Sequence, residues 1–61
     1  MTLTPTLKAK ILMYIYNNDK MICLDVVSET LRRLQEPSAI LFYMKVKQEI
    51  QKNINIEYKN N

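Results

Sequence analysis

A helix near the start of the chain is predicted by its boundary signals and by the spacing of its apolar residues. Thr4 followed by Pro5 indicates a helix start, because a hydroxyl can cap free amides and proline suits the first helical position. Asn17, Asn18 and Asp19 indicate its end, since asparagine tolerates the left-handed conformation that terminates helices. We therefore expect a first helix over residues 5–17.

This first helix is apolar on nearly all sides. One face carries Leu7, Ile11, Tyr14 and Ile15, and the other carries Ala9, Leu12, Met13 and Tyr16. Only one face of a helix in a small domain can pack on the core, so the other face is available for a partner. We expect Leu12, Met13 and Tyr16 to form part of a protein interface.

A short strand and a second helix are expected next. Residues 21–24 form a short apolar run, which predicts a strand. Asp25 is then expected to cap a helix over residues 26–35. The apolar stripe of this helix consists of Val27, Thr30, Leu31 and Leu34. Its polar face consists of Ser28, Glu29, Arg32, Arg33 and Gln35. This is the pattern of a helix on the surface of a domain.

The third helix is expected over residues 37–52, since Pro37 can stop one helix and begin the next. Its preferred core stripe is Ala39, Phe42, Tyr43, Val46 and Ile50. The alternative register, through Ile40, Met44 and Gln51, would bury Lys47. In the preferred register a second protein interface projects from the core: Ile40, Leu41, Met44 and Gln48. Residues 54–58 alternate apolar and polar side chains, which predicts a C-terminal strand.

Composition limits the ways in which this chain can be stabilised. A 61-residue chain holds one domain, here residues 1–61, and such a domain is marginally stable alone. Its one cysteine, Cys23, cannot form an internal disulfide, and the absence of histidine excludes the usual structural zinc sites. We expect no cofactor and no metal, and a homodimer as the remaining route to stability.

An enzyme is not expected from these residue types. Without histidine or glycine the chain has no imidazole base and no glycine-rich phosphate loop. The six carboxylates show no spacing typical of a catalytic pair, and Cys23 lacks a histidine to activate it, so a structural cysteine is favoured. We expect no small-molecule substrate. The apolar runs fall well short of the roughly 18 residues that a membrane span requires, so we expect no membrane association and a cytoplasmic location.

The order helix, strand, helix, turn, helix, strand resembles winged helix-turn-helix domains. Residues 7–15 are similar to the first helix of ArsR-type bacterial repressors, residues 22–31 to their strand and second helix, and residues 34–39 to the turn before the recognition helix. The resemblance implies a mostly α fold, with a three-helix helix-turn-helix core and a truncated wing.

Two departures from the ArsR-type pattern bear on function. The family usually has a glycine near the end of the second helix, where this chain has Arg33. The positions that would face the major groove are Ile40, Leu41 and Phe42, whereas base reading requires polar side chains. The resemblance therefore implies the shape of a DNA-binding domain with an apolar recognition surface.

Two functional hypotheses follow. The first is a small transcription regulator that acts through contact with another protein, such as a repressor or a polymerase subunit. In kind and size it resembles the small phage-encoded transcription modulators, such as the tectiviral protein that binds the LexA repressor. The second is a repressor that binds operator DNA directly, consistent with the net charge of +3. Its candidate DNA contacts are Arg32, Arg33, Ser38, Lys45, Lys47 and Lys52.

Overall fold

The computed structural model describes the backbone of residues 2–59 and the side chains of residues 2–52. Residues 2–59 form three helices: α1, Pro5–Ile15; α2, Lys20–Arg33; and α3, Pro37–Lys59. The mostly α, three-helix prediction is therefore confirmed. No strand occurs within residues 2–59, so both predicted strands are wrong, and with them the wing that the resemblance implied.

Helix α1 begins where the sequence predicts. The Thr4 hydroxyl accepts a hydrogen bond from the backbone amide of Leu7 at 3.1 Å, and Pro5 occupies the first helical turn. The cap satisfies one of the amides that lack a partner at a helix start.

Two asparagines end α1, as predicted, in the left-handed conformation. Asn17 has a φ of 55° and Asn18 a φ of 62°. The Asn18 amide donates to the carbonyl of Met13 at 2.6 Å, and the Asn17 amide donates to that of Tyr14 at 3.4 Å. This pair of bonds is a Schellman motif, which reverses the chain and satisfies two of the last carbonyls of α1.

Helix α2 starts six residues earlier than expected, and its cap is Asp19 rather than Asp25. The Asp19 carboxylate accepts a hydrogen bond from the Ile22 amide at 3.1 Å, and its carbonyl accepts one from the Cys23 amide at 3.1 Å. Residues 21–24 are helical as a result. A short apolar run fits a strand or a buried helix turn equally well, and here the upstream cap decides between them.

Helix α2 ends at Arg33 rather than Gln35, and three residues connect it to α3. Leu34 is extended, with a φ of −77° and a ψ of 141°. Pro37 begins α3 as predicted, and the Ile40 amide donates to the carbonyl of Glu36 at 3.0 Å. No left-handed residue is needed at Arg33, because this linker turns without one.

Helix α3 continues to Lys59 and includes the predicted strand at residues 54–58. A lone strand needs a partner for its backbone amides and carbonyls, and the only candidate within the chain, residues 21–24, is helical. Continuing the helix satisfies those groups within the segment itself. The predicted end of this helix near Lys52 is therefore also wrong.

Helix α3 packs against both other helices, which contact each other much less. The buried residues form one cluster: Ala9, Leu12, Met13, Cys23, Val27, Val46 and Ile50. Phe42, Tyr43 and Leu31 pack on this cluster while remaining partly exposed. The preferred register of α3 is thus confirmed. The predicted stripe of α2 is confirmed only for Val27 and Leu31, because Thr30 and Leu34 are half-buried outside the core cluster and Leu34 lies beyond the helix.

The orientation predicted for α1 is wrong. Leu12 and Met13 are buried in the core, and Tyr16 packs against it, so these residues do not form an exposed interface. Ala9 lies on the same buried face and is only 2% exposed, and a small side chain at such a position allows helices to pack closely. The face with Leu7, Ile11, Tyr14 and Ile15 is the exposed one.

The two candidate caps of α2 are distinguished by alanine substitution. We expect Asp19→Ala to lower the free energy of unfolding by about 1 kcal/mol, because it removes the side-chain acceptor at the helix start. Asp25→Ala is the matched control and should change it by less than about 0.5 kcal/mol, since Asp25 lies exposed inside the helix. Urea denaturation followed by circular dichroism measures both. A larger loss for Asp25→Ala than for Asp19→Ala would restore the predicted strand before α2.

Candidate functional site

The strongest candidate site is a groove between α2 and α3, with a volume of about 480 Å³. Its lining residues are Leu31, Ile40, Met44, Lys47, Gln48 and Gln51. Leu31, Ile40 and Met44 supply its apolar surface. Polar groups near one edge are typical of a surface that binds an amphipathic segment.

The interface predicted on α3 overlaps this groove at three of its four residues, Ile40, Met44 and Gln48. Leu41 is 55% exposed and Met44 is 48% exposed, as the preferred register requires. Ile40 is half-buried and Gln48 is exposed. Ile40, Met44 and Gln48 line the groove, whereas Leu41 lies one helical turn from Met44 and extends the apolar surface outside it.

Two further lining residues, Leu31 and Gln51, lie outside the interface that the sequence predicts. The hydrophobic pattern predicts Leu31 in the apolar stripe of α2 and Gln51 in the alternative register of α3. Leu31 lies at the edge of its stripe, where it contacts the core and also faces the groove. The hydrophobic pattern therefore predicts that Leu31 is a core residue, and it does not indicate that Leu31 also lines a binding groove.

A second groove, of about 530 Å³, runs along α2 and the first linker residue, Leu34. Its lining includes Asp25, Glu29 and Arg33, which carry charges of both signs. Val26, Thr30 and Leu34 supply the rest of its lining, and all three are half-buried. The α2–α3 groove differs in being formed between two helices and in including Met44, which is 48% exposed. The groove between α2 and α3 is therefore the better candidate for a binding site.

Among the described residues that line the α2–α3 groove, the charged one is Lys47. Glu49 and Lys52, which lie next to it along α3, form an ion pair with each other. From Pro37 to Gln48 the only charged residues are Lys45 and Lys47, and no carboxylate lies between Glu36 and Glu49. Lys47 lines the groove and is partly buried, so its ammonium group acts beside an apolar surface. This arrangement favours an occupant with negative charge along one edge.

The candidate DNA contacts do not gather into one cluster of unengaged cations. Arg32 forms an ion pair with Glu29 at 2.9 Å, and Lys52 forms one with Glu49 at 3.5 Å. The Ser38 hydroxyl is 3.4 Å from the Glu36 carboxylate, to which it donates. The ion pairs between residues 2 and 52 do not include Arg33, Lys45 or Lys47. These three remain available to an acidic partner.

Cys23 is fully buried in the core, as expected for a structural cysteine. Burial raises the pKa of its thiol above the ordinary value of 9.0, and the negative charge of Asp19 raises this pKa further. A nucleophilic cysteine requires a lowered pKa and access to solvent. Within the described residues, no cluster of acidic or cysteine side chains could hold a metal ion.

Comparison with known proteins identifies no relative. No protein-family model, no curated protein and no solved structure matches the chain. Among the described residues, no helix is long and apolar enough to cross a membrane. The site is therefore interpreted from its own geometry and chemistry.

Burial of Cys23 predicts a low reactivity of its thiol. At about pH 8 we expect native Cys23 to react with an aromatic disulfide reagent at least about 10-fold more slowly than the unfolded chain, because the reaction requires opening of the core. The matched control is the Cys23→Ala/Ser38→Cys variant, whose thiol is at an exposed position and should react rapidly in the folded state. Equal rates for these two thiols would contradict the burial.

The raised pKa of Cys23 also gives a pH dependence. The unfolded chain loses the thiol proton near pH 9.0, whereas the folded chain keeps it to higher pH. The thiol's contribution to stability is therefore present below that pH and declines as the pH rises above it. Cys23→Ala should remove this part of the decline in urea denaturation.

Proposed function

We propose that this protein is a binding module that acts through contact with another protein, using the groove between α2 and α3. The observation that carries the proposal is the apolar surface formed by Leu41 and Met44, both about half exposed, beside a groove with apolar walls. Small proteins rarely leave contiguous apolar surface in water without a partner for it.

The groove favours an acidic amphipathic helix as its occupant. Such a helix places apolar residues every three or four positions into a groove, which matches the apolar walls supplied by Leu31, Ile40 and Met44. Carboxylates on the flank of the incoming helix can meet Lys47 at the groove and Lys45 on the same helix. Gln48 and Gln51 can bond polar groups at the edge.

A role in transcription regulation is part of the proposal. It is supported by two helices joined by a three-residue linker, the arrangement that resembles a helix-turn-helix unit. Of the three positions expected to face a DNA groove, Phe42 packs against the core and Leu41 is an exposed apolar residue. These side chains suit protein contact better than base reading. We propose a transcription repressor or a polymerase subunit as the partner.

The double variant Leu41→Arg/Met44→Glu tests the groove without changing net charge. We expect it to weaken partner binding at least about 30-fold, because it places charges in the apolar part of the interface. Both side chains are substantially exposed, so the fold should survive, as checked by circular dichroism. The measurement is a pull-down from a nuclease-treated extract of the cells in which the protein is naturally made, with identification of the bound proteins. The purified partner is then titrated against each variant.

A charge exchange on another surface provides the matched control. Glu29→Arg/Arg32→Glu reverses the ion pair on the exposed face of α2 and also keeps the net charge. It should bind the same partner as the unmodified protein. Equal recovery of the partner by the Leu41→Arg/Met44→Glu variant would refute the groove, and a partner unrelated to transcription would refute the regulatory role.

Direct binding to operator DNA is the second candidate. It is favoured by Arg33, Lys45 and Lys47, which form no ion pair within the described side chains. From the protein-contact proposal we expect no sequence-selective mobility shift by the protein alone at about 50 or 200 mM salt. A selective shift that weakens steeply between these salt concentrations, and that Lys45→Gln reduces for all sequences alike, would establish the second candidate instead.

A further inference from the structure

The outward face of α1 carries an apolar stripe that the core does not use. Leu7 and Ile11 are each 38% exposed, Ile15 is 58% exposed and Tyr14 is 85% exposed. These residues recur at three- and four-residue spacings, so they form one continuous strip along the helix. The strip is separate from the groove between α2 and α3, because none of its residues lines that groove.

Three of the four positions in this strip are symmetric about Ile11, whereas the position that corresponds to Tyr14 is occupied by Lys8. Leu7 lies four residues before Ile11, and Ile15 lies four residues after it. If two copies of α1 meet antiparallel across a two-fold axis at Ile11, Leu7 of each copy faces Ile15 of the other, and the two Ile11 side chains face each other. A two-fold interface requires this kind of self-matching surface.

The lysines of α1 select the antiparallel arrangement. Lys8 and Lys10 lie on the two sides of the strip, and no carboxylate precedes Asp19. Parallel helices would place Lys8 of each copy beside Lys10 of the other, because a two-fold axis along the helices brings opposite sides of the strip together. Antiparallel helices instead place Lys8 beside Ile15 of the second copy, where its aliphatic stem covers apolar surface, and Lys10 near the ring of Tyr14.

The size of the core favours a second copy as the occupant. Seven residues are buried among the described side chains, in a chain of 61 residues, and domains of this size gain stability from oligomerisation when disulfides and metals do not supply it. A second copy brings the same apolar strip in the register that covers the first. We propose that the protein forms an antiparallel homodimer through α1, with Ile11 at the two-fold axis.

Sedimentation equilibrium measures this dimer. A contact along one short helix belongs to the small class of interfaces, so we expect a dissociation constant on the order of 10 µM. Ile11→Glu and Ile11→Lys should each raise it at least about 100-fold, since every dimer then carries two like charges at its centre. An equimolar mixture of these two variants should form a heterodimer, because opposite charges then meet at the axis.

Leu41→Glu is the matched control, since it places the same charge on an exposed apolar residue of α3. It should leave the dissociation constant within about twofold of the unmodified value. Circular dichroism should show the helical content of all variants retained, and Tyr14→Ala provides a second strip variant should either Ile11 variant unfold. It should weaken the dimer without adding charge.

Several outcomes overturn the proposal. An unmodified protein that stays monomeric up to about 1 mM overturns it, whether or not the strip binds anionic vesicles or an acidic peptide. Dimers of the Ile11→Glu variant as tight as those of the unmodified protein also overturn it. Dissociation by both single variants without heterodimer formation in the mixture overturns the position of Ile11 at the axis.

Discussion

The fold depends on burial of one stripe of α3 against two helices at once. Val46 and Ile50 are fully buried, in the same cluster as Val27 and Cys23 of α2 and the apolar inner face of α1. Each such side chain contributes about 1.5–3 kcal/mol when it leaves water. Because α1 and α2 contact each other little, removing this stripe would leave neither helix with a surface on which to pack.

This arrangement also determines which surfaces are left for binding. A core built around α3 buries one side of each helix, and the described residues 2–59 contain no fourth helix or strand that covers the other sides. The groove beside Met44 and the outward strip of α1 are therefore direct results of how the helices pack. The proposed partner and the proposed second copy occupy different surfaces, so the two contacts are compatible.

The turn between α1 and α2 is formed by residues 16–19, and it determines which residues of α2 reach the core. Asn17 and Asn18 reverse the chain in the left-handed conformation, and Asp19 starts the next helix immediately. Every residue of this short segment either ends one helix or begins another. Because Asp19 caps α2, residues 21–24 lie in the first turns of this helix. Cys23 is then on the face that is buried in the core.

The sequence by itself determined the helix boundaries that depend on local chemistry, at Thr4–Pro5, at Asn17–Asn18 and at Pro37, because caps and proline act within a few residues. It also predicted the α3 register and the exposed Leu41 and Met44, since burying Lys47 is costly. Tertiary structure decided which face of α1 is buried, because both faces are apolar and the hydrophobic pattern alone does not distinguish them. It also decided that residues 54–58 are helical, because a strand depends on a pairing partner elsewhere in the fold.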